Sequence, residues 1–343
     1  MEDIFPILQF EPNVAHKLLR TMNEIDALTF SFCSKESKSL ATSAKIRRLS
    51  VSIEITEEVR LRIQFIFSSQ YHIHLGNPAQ SPWRPGSVGV TAQGSQDRLQ
   101  WNMPNYTFND WIAHLTEVLR CSISLIRVVG GRPPAGSQLE APQEVIEAVG
   151  EATKGMDIKE MMISNMLSNK TADMVSSKLT NMRSIQLLDP AFESPMEIRK
   201  FSIQNLDTLS IFMRRNLQFS LDDVLATNSR QLFITSEVPL NEKQLNRFLK
   251  LWQNGATPRL EVFFLISPEE IFLNENEIVN GIKHQVIPDE EERIFMRPVE
   301  GPDGRFEQEI YGGIDIWRKD GTLGTIILNE MPHFFQFYVW HKP

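Results

Sequence analysis

A cysteine followed by two lysines is the first set of residues in this sequence that could carry out chemistry. Cys33 stands between Phe32 and Ser34, and Lys35 and Lys38 follow it. A catalytic thiol needs a lowered pKa and a base within reach, which is often a histidine. The nearest histidine in the sequence lies about one predicted helix away. Cysteine is also among the most frequently buried residue types, and this one falls on an apolar spacing, so the pattern favours packing over catalysis.

Two further motifs could bind a ligand. His72 and His74 alternate, so both side chains would face one side of a strand, as two metal ligands can. No cysteine, histidine or acidic cluster stands nearby in the sequence, and this favours two partly exposed sheet-face histidines. "GRPPAG" at 131–136 has the glycine spacing of a phosphate loop. No lysine follows its second glycine, however, and its prolines remove backbone donors, so a connecting loop is the better interpretation.

The remaining polar motifs give no catalytic signature. The acidic run "DEEER" at 289–293 is typical of a solvated turn, with contact to a basic partner as the alternative. Trp83 lies in a loop rich in proline and glycine and could either contact a partner or pack on its own domain. The fingerprints of serine hydrolases, zinc proteases and dinucleotide-binding enzymes are absent from the sequence. We therefore expect a protein that is not an enzyme and needs no cofactor or metal.

Length, charge and cysteine usage narrow the class of protein. The 343 residues predict two or three folding units. Two cysteines cannot form a disulfide framework and fit a reducing compartment. A net charge of −8 argues against general binding to nucleic acid or to anionic membranes. Without a signal-like start or a long apolar run, the expected location is the cytoplasm, the nucleus or both.

The first 45 or so residues have the pattern of three short helices. An amphipathic stripe follows Pro12 and predicts a first helix that starts at Asn13. A second apolar segment comes next, and Ser34 could then cap a third helix. Three short helices bury too little surface to be firmly stable alone. We expect this part of the chain to pack against a partner or a neighbouring domain.

The pattern changes to strands after Arg48. "LSVSIEI", "LRIQFIF" and "YHIHL" alternate with a period of two and predict a small antiparallel set. Residues 77–97 are rich in Pro, Gly, Ser and Gln and predict a long surface loop. An apolar stripe then predicts a helix that begins at Thr107 or Asn109.

A spaced apolar pattern recurs between residues 158 and 264. It reads apolar-x-x-apolar-x-apolar, and successive copies are 23 to 28 residues apart. A possible earlier copy begins at Ile123. Helix-like segments lie between the copies, most clearly the one that Asn241 would cap and Gly255 would end. A strand and a helix at this period indicate an irregular leucine-rich-repeat-like array, whose strands should line one curved sheet.

The C-terminal part predicts a hairpin and a last strand. "GGIDIW" and "LGTIIL" alternate around a Lys-Asp-Gly-Thr turn, and "FFQFYVW" predicts an edge or core strand. The preceding residues 288–309 are expected to be mostly loop. The predicted fold class is therefore α/β: a short N-terminal three-helix unit, then an irregular strand–helix array with flanking antiparallel strands. The predicted divisions are 1–46, 47–121, 122–266 and 267–343.

The N-terminal stretch "FPILQFEPNVAHKLLRTMNEIDALTFSFCSKESKSLA" resembles an F-box. Asp26 and Leu28 match its Asp-Leu step, and "FSFCSK" matches its last apolar run. Glu11 replaces the usual leucine before proline, and Ser37 stands where tryptophan is common. The blocks "LDTLSIFMRRNLQFSLDDVLATNSRQLFITSEVPLNEKQLNRFLKLWQNGATPRLEVFFL" and "GGIDIWRKDGTLGTIIL" are similar to nematode F-box proteins with a type 2 F-box-associated region.

This resemblance implies a substrate receptor of a ubiquitin ligase. The F-box would dock on a Skp-family adaptor, which connects it to a cullin–RING ligase, and the repeat-like body would bind an unknown target protein. The alternative is a protein-interaction scaffold whose altered F-box does not engage the adaptor. The residues expected to form the adaptor surface are Phe10, Pro12, Val14, Leu18, Leu19, Met22, Ile25, Leu28, Phe32 and Cys33.

Overall fold

The structure is a computed structural model. It describes residues 7–45, 50–56, 58–65, 70–76, 85–95, 98–129, 143–164, 168–180, 182–188, 195–213, 219–237, 240–267, 273–298, 305–329 and 334–340. The "GRPPAG" loop and Trp83 lie outside these residues.

The chain divides into two compact units, and each is described by itself. The first contains residues 1–129 and 141–158, and the second contains residues 130–140 and 159–343. Both mix helices with strands, which agrees with the predicted α/β class. The four-part division and the leucine-rich-repeat-like character of the array stay predictions. Among the described residues, no helix is long and apolar enough to cross a membrane.

The first unit contains five helices and six strands among its described residues. Its helices are α1 (Pro12–Thr21), α2 (Glu24–Ser31), α3 (Lys35–Ala44), α4 (Phe108–Leu119) and α5 (Gln143–Ala152), and a short 3₁₀ turn covers Ile7–Gln9. Its strands are β1 (Ser50–Ile55), β2 (Val59–Gln64), β3 (Gln70–His74), β4 (Ser87–Ala92), β5 (Arg98–Asn102) and β6 (Ile123–Val129).

The three N-terminal helices begin at local capping signals. α1 begins at Pro12 itself, with Glu11 as the N-cap, and not at Asn13 as predicted. Proline suits the first helical position because its fixed φ is helical and its missing N–H has no partner there anyway. Ser34 caps α3 as predicted, through a reciprocal capping box with Ser37.

The strands of the first unit are hydrogen-bonded in the order β6-β1-β2-β3-β4-β5. β1 is antiparallel to β2 and parallel to β6. The parallel pairing is possible because the chain passes through α4 after β5 and returns to the free side of β1 as β6. The predicted loop at 77–97 is partly wrong, since β4 occupies its second half. Val88 and Val90 are buried there, and the surrounding glycines and serines masked this short alternation in the sequence.

The second unit contains five helices and nine strands among its described residues. Its helices are α6 (Asn169–Lys178), α7 (Pro195–Ser202), α8 (Leu221–Ala226), α9 (Glu242–Gln253) and α10 (Glu275–Ile278). Its strands are β7 (Ile158–Ser164), β8 (Met182–Leu188), β9 (Thr208–Met213), β10 (Gln231–Ser236), β11 (Val262–Ile266), β12 (His284–Pro298), β13 (Arg305–Trp317), β14 (Leu323–Asn329) and β15 (Phe334–Trp340). They follow one another in the order β7-β8-β9-β10-β11-β15-β14-β13-β12.

Helices alternate with parallel strands from β8 to β11. These strands pair in parallel, and the recurring apolar pattern is in register from β8 to β10. β11 is shifted, since Leu232 lies opposite Phe263 and not opposite Leu260. One face of the sheet packs on α9, where Phe248 and Trp252 contact Phe337 edge to face. β15 pairs with β11 on one side and β14 on the other, so it is a central strand of the unit.

Residues 288–309 differ most from their prediction. The acidic run expected as a turn lies in β12, and the expected loop forms most of a long hairpin of β12 with β13. The ladder shifts register between Ile287 and Glu292, so four residues of β12 lie opposite Gly312. This bulge allows the carboxylates to project to solvent while the strand continues.

Candidate functional site

The three N-terminal helices pack closely through small side chains. Ala15 of α1, Ala27 of α2, and Ala41 and Ala44 of α3 are all buried, together with the larger Leu19. Small residues at a helix contact allow the backbones to approach, so short helices can still bury their apolar stripes.

Two polar contacts join α1 to α3. Arg20 donates from Nε to the carbonyl of Ala44, at the end of α3, over 2.8 Å. His16 Nε2 and Ser43 Oγ are 2.7 Å apart. A basic group such as Arg20 at the last carbonyls of a helix complements the helix dipole. Together with the His16–Ser43 contact, it holds α1 against α3, the two helices that border the surface described next.

An open groove of about 560 Å³ lies between the 3₁₀ turn, α1 and α3. Its apolar rim is exposed: Leu8 is 51% exposed and Phe10 is 39% exposed. Lys35 and Glu36 at the start of α3 supply charge to the groove. Its lining comprises Ile7, Leu8, Phe10, Pro12, Ala15, His16, Lys35, Glu36, Ser39, Leu40 and Ser43.

Burial separates the ten predicted adaptor residues into three groups. The buried ones are Leu19 and Leu28. The half-buried ones are Leu18, Met22, Ile25 and Phe32. The exposed ones are Phe10, Pro12, Val14 and Cys33. The structure therefore brings Phe10 and Pro12 to the groove and adds Leu8 and Leu40, which the sequence interpretation missed although the apolar run "ILQF" precedes Pro12.

The ring of Phe32 packs inside the first unit. It stacks on His114 with ring centres 4.1 Å apart and contacts Trp101 at 4.8 Å and Trp111 at 5.3 Å. Ser31 Oγ lies 2.8 Å from His114 Nε2. This aromatic cluster joins α2 to α4 and β5, so the half-buried ring of Phe32 contributes to the packing of the unit.

Cys33 is exposed, which corrects the expectation that it fills an apolar position. Its thiol makes one long contact of 3.8 Å, to the carbonyl of Thr29. Lys38 is paired with Glu117 at 2.7 Å, and the nearest histidine in sequence, His16, is paired with Ser43. These neighbours therefore interact with groups other than the thiol.

The paired histidines of β3 lie in a polar network on one face of the sheet. His74 contacts Glu58 at 3.3 Å and Thr91 at 3.0 Å, and His72 contacts Gln70 at 2.7 Å. Burial lowers the pKa of His72, a shift that the charge of nearby Glu54 opposes. Within the described ranges, no group of three or more His, Cys, Asp or Glu side chains could hold a metal ion.

A second exposed surface is formed by the β12–β13 hairpin, which covers one face of the sheet in the second unit. Phe295 is buried between Tyr338 and Trp340, with ring centres 5.0 and 5.2 Å away. Arg297 lies over Phe233 at 4.8 Å and donates to Gln231 Oε1 at 3.0 Å. The parallel strands are thus covered by the chain itself at this position, and the hairpin presents its other face to solvent.

Burial on the covered face changes the titration of two of its groups. It lowers the pKa of Arg297, and it raises the pKa of Tyr338 to about 12. Gln308 Nε2 donates to the Tyr338 hydroxyl over 2.7 Å. A neutral phenol held by an amide is consistent with a packed, water-poor contact between hairpin and sheet.

Comparison with known proteins identifies the strand–helix part of the second unit. Residues 197–265 match a family model described as F-box associated. This stretch is therefore similar to F-box-associated regions. The match runs from α7 to β11, so it contains the parallel strands on which the hairpin packs. The predicted resemblance to nematode F-box proteins of this kind is confirmed.

One curated relative supports the same assignment over a longer part of the chain. The protein is 24% identical over 265 residues to the F-box associated domain-containing protein sdz-33 of Caenorhabditis elegans. The alignment covers 76% of this chain and 78% of that protein. No solved structure matches.

Proposed function

We propose that the protein is a substrate-recognition subunit of a Skp–cullin–F-box ubiquitin ligase. The F-box-associated region and the exposed apolar groove beside three N-terminal helices support this assignment. In this role α1 to α3 form the F-box and dock on a Skp-family adaptor, and the adaptor connects the chain to a cullin–RING ligase. The body of the chain binds the target protein and performs no chemistry of its own.

The exposed rim of the groove is the observation that carries the proposal. Leu8 and Phe10 line the groove and project into solvent although the helix contacts beside them are well packed. Burying an apolar side chain of this size contributes about 1.5–3 kcal/mol before the costs of association. Leu8 and Phe10, together with the half-buried Leu40 of the same lining, are therefore sufficient for a specific docking contact.

A point substitution tests the adaptor contact better than a deletion. Deleting residues 1–45 would uncover Trp101 and Trp111, because Phe32 packs on both, and the first unit would lose stability whatever its function. Phe10→Asp instead places a charge on an exposed rim position. Leu99→Asp is the matched control, since Leu99 is 42% exposed on β5 of the same unit.

The measurement is calorimetric titration of the purified full-length chain with a purified Skp-family adaptor. The wild-type chain and Leu99→Asp should bind with equal affinity. Phe10→Asp should bind at least about tenfold more weakly, which corresponds to 1.4 kcal/mol. Absence of binding by the wild-type chain, or equal binding by Phe10→Asp, would contradict the adaptor role.

The alternative function is a non-catalytic interaction scaffold whose altered F-box does not engage the adaptor. The aromatic cluster and the Ser31–His114 contact favour it, because they give the helices a structural role within the first unit. Ser37, which stands where tryptophan is common in F-boxes, is buried in the cap of α3. In the scaffold case the titration gives no heat with the adaptor, while the target-binding surface considered next keeps its affinity.

A further inference from the structure

The two faces of the β12–β13 hairpin differ in their surroundings. Antiparallel partners share a face, so the register places Phe295 with Gln308 and Ile294 with Glu309 on opposite faces. The face with Phe295 packs on the sheet of the second unit, next to Tyr338. The outer face is defined here as Glu292, Ile294, Met296, Glu307, Glu309 and Tyr311.

The outer face exposes large apolar side chains. Ile294 is 54% exposed, Tyr311 is 52% exposed and Met296 is 39% exposed. Of the twelve exposed large hydrophobic side chains in the described part of the chain, six lie on these two strands, and three of the six, Ile294, Met296 and Tyr311, belong to the outer face. Concentrated apolar exposure of this kind marks interaction surfaces.

Carboxylates alternate with these apolar side chains. Glu309 is opposite Ile294, Glu307 is opposite Met296, and Glu292 is opposite Tyr311. The Tyr311 hydroxyl donates to Glu309 Oε2 over 2.9 Å. That hydrogen bond raises the pKa of Tyr311, and the charges of Glu292 and Glu309 add to it.

The acidic character extends into the bulge of β12. Asp289, Glu290 and Glu291 are exposed directly before the outer face. The two arginines within β12 do not neutralise them, because Arg293 binds Asp315 and Arg297 packs on the sheet. A surface with an apolar centre and a negative border is complementary to a partner that combines basic and apolar residues.

β12 also has a free edge. It is the last strand in the order of the second unit, and its second side pairs with no strand among the described residues. Beyond the bulge, Glu292–Arg297 runs without a proline, so its backbone groups are available to an added strand. A second copy of this chain is a poor occupant, because edge pairing would place two sets of the same carboxylates on one continuous face.

We propose that the target of this protein presents a basic segment in extended conformation, which pairs with the edge of β12 and contacts the outer face. Main-chain hydrogen bonds hold the segment along Glu292–Arg297. Its apolar side chains pack beside Ile294 and Met296, and its lysines or arginines face the carboxylates. This deepens the target-binding half of the proposed function and does not depend on adaptor docking.

The test uses the full-length chain and a fluorescent peptide of about eight residues, the length of a strand. Every second residue is lysine or valine in turn and the others are threonine, so that one face of the extended lysine–valine peptide carries both kinds of side chain. Fluorescence anisotropy measures its affinity. Ile294→Ser and Glu309→Lys should each weaken binding at least about tenfold. The matched controls are Leu99→Ser on β5, an exposed apolar position, and Glu277→Lys on α10, an exposed glutamate; both should bind as the wild-type chain does. Thermal unfolding of each variant confirms that it is folded.

Two further peptides test the mode of binding. A peptide with alternate backbone amides methylated should bind at least about tenfold more weakly, because it cannot donate to the strand edge. A glutamate–valine peptide should not bind. The proposal would be overturned if the methylated or the acidic peptide bound as tightly as the lysine–valine peptide, or if Ile294→Ser bound the lysine–valine peptide as tightly as the wild-type chain does. It would also be overturned if the chain formed dimers that depend on Ile294 and did not bind the peptide.

Phe10→Asp separates this proposal from adaptor docking. The outer face and the groove belong to different units, so Phe10→Asp should leave the affinity for the lysine–valine peptide unchanged. If the chain ignores the adaptor but binds the peptide, the ligase role fails and the binding surface stands. If it binds the adaptor but not the peptide, the ligase role stands and the binding surface fails.

Discussion

The imidazole of His114 in α4 is neutral and has a hydrogen bond at each ring nitrogen, and Ser31 of α2 is one of the two partners. Ser31 Oγ donates to the carbonyl of Leu28 over 2.6 Å, so its oxygen accepts the hydrogen on His114 Nε2, 2.8 Å away. The other ring nitrogen, Nδ1, then accepts from the Tyr106 hydroxyl over 3.2 Å. The imidazole thus connects three segments of the first unit while it carries no charge.

This contact makes the first unit sensitive to acid. Burial lowers the pKa of His114 from 6.5 to about 4, with the positive charge of Lys38 adding to the effect and Glu117 opposing it. Because the unfolded chain binds the proton more tightly, stability is full above pH 6.5 and falls as the pH drops toward 4. The free energy of unfolding should fall by about 3 kcal/mol across that window.

Urea unfolding at several pH values between 7.5 and 4 checks this prediction. His114→Gln removes the titrating group, so its stability should depend less on pH than that of the wild-type chain by about the same 3 kcal/mol. Other histidines, among them His72, contribute equally to both proteins and cancel in the comparison. Parallel pH profiles for the two proteins would show that His114 is not the responsive group.

A second prediction contrasts two neighbouring residues of the N-terminal segment. Phe32→Ala removes a ring that packs on His114, Trp101 and Trp111, and it should lower the free energy of unfolding by about 2–4 kcal/mol, less than a fully buried phenylalanine would. Cys33→Ala alters an exposed side chain and should change stability by less than about 0.5 kcal/mol. Thermal and urea unfolding of both variants provide the measurement, and similar losses for the two would mean that Cys33 is packed after all.

The sequence predicted the elements with a regular apolar period and missed those in which that period is interrupted. α3, α4 and α9 start at the predicted caps, and the recurring strands are parallel and regularly spaced. β4 was obscured because its alternating valines lie among small and polar residues. β12 was obscured because a bulge carries three acidic residues out of an otherwise continuous ladder.

The candidate surfaces were predicted less completely than the fold, for a related reason. A single sequence shows that Phe10, Val14, Leu19 and Phe32 are apolar, but not which neighbours cover them. Tertiary contacts decide this: Trp101 and Trp111 cover Phe32, whereas no described side chain covers Val14 to the same degree. The exposed face of the hairpin could not be predicted for the same reason, since its exposure follows from the packing of the opposite face.

A third prediction concerns the cap of α3. Ser34 Oγ accepts from the backbone N–H of Ser37 over 3.1 Å, and Ser37 Oγ accepts from the N–H of Ser34 over 2.7 Å. Ser34→Ala should therefore lower the free energy of unfolding by about 1 kcal/mol. Ser39→Ala, in the exposed middle of the same helix, should be neutral or slightly stabilising because alanine favours helix. If both substitutions have the same effect in urea unfolding, the capping box does not stabilise this helix.

The last prediction concerns the ion pair that holds the hairpin to the neighbouring strands. Arg293 Nη1 donates to both carboxylate oxygens of Asp315, at 3.0 and 2.9 Å, and Thr325 Oγ1 donates to Asp315 Oδ1 over 2.6 Å. Asp315 is buried, so Asp315→Asn leaves the charge of Arg293 without compensation and should cost about 3–5 kcal/mol. Asp222→Asn, the same chemical change at an exposed position of α8, should cost less than about 0.5 kcal/mol.

The double variant Arg293→Met with Asp315→Asn distinguishes the effect of an unpaired buried charge from the effect of altered side-chain packing. Removing both charges leaves no buried ion without a partner, so the double variant should be more stable than Asp315→Asn alone. Urea unfolding of the single and double variants measures this coupling, and strictly additive losses would contradict it. Because Arg293 and Asp315 lie on β12 and β13, the same variants should also weaken binding of the lysine–valine peptide in proportion to the opening of the hairpin.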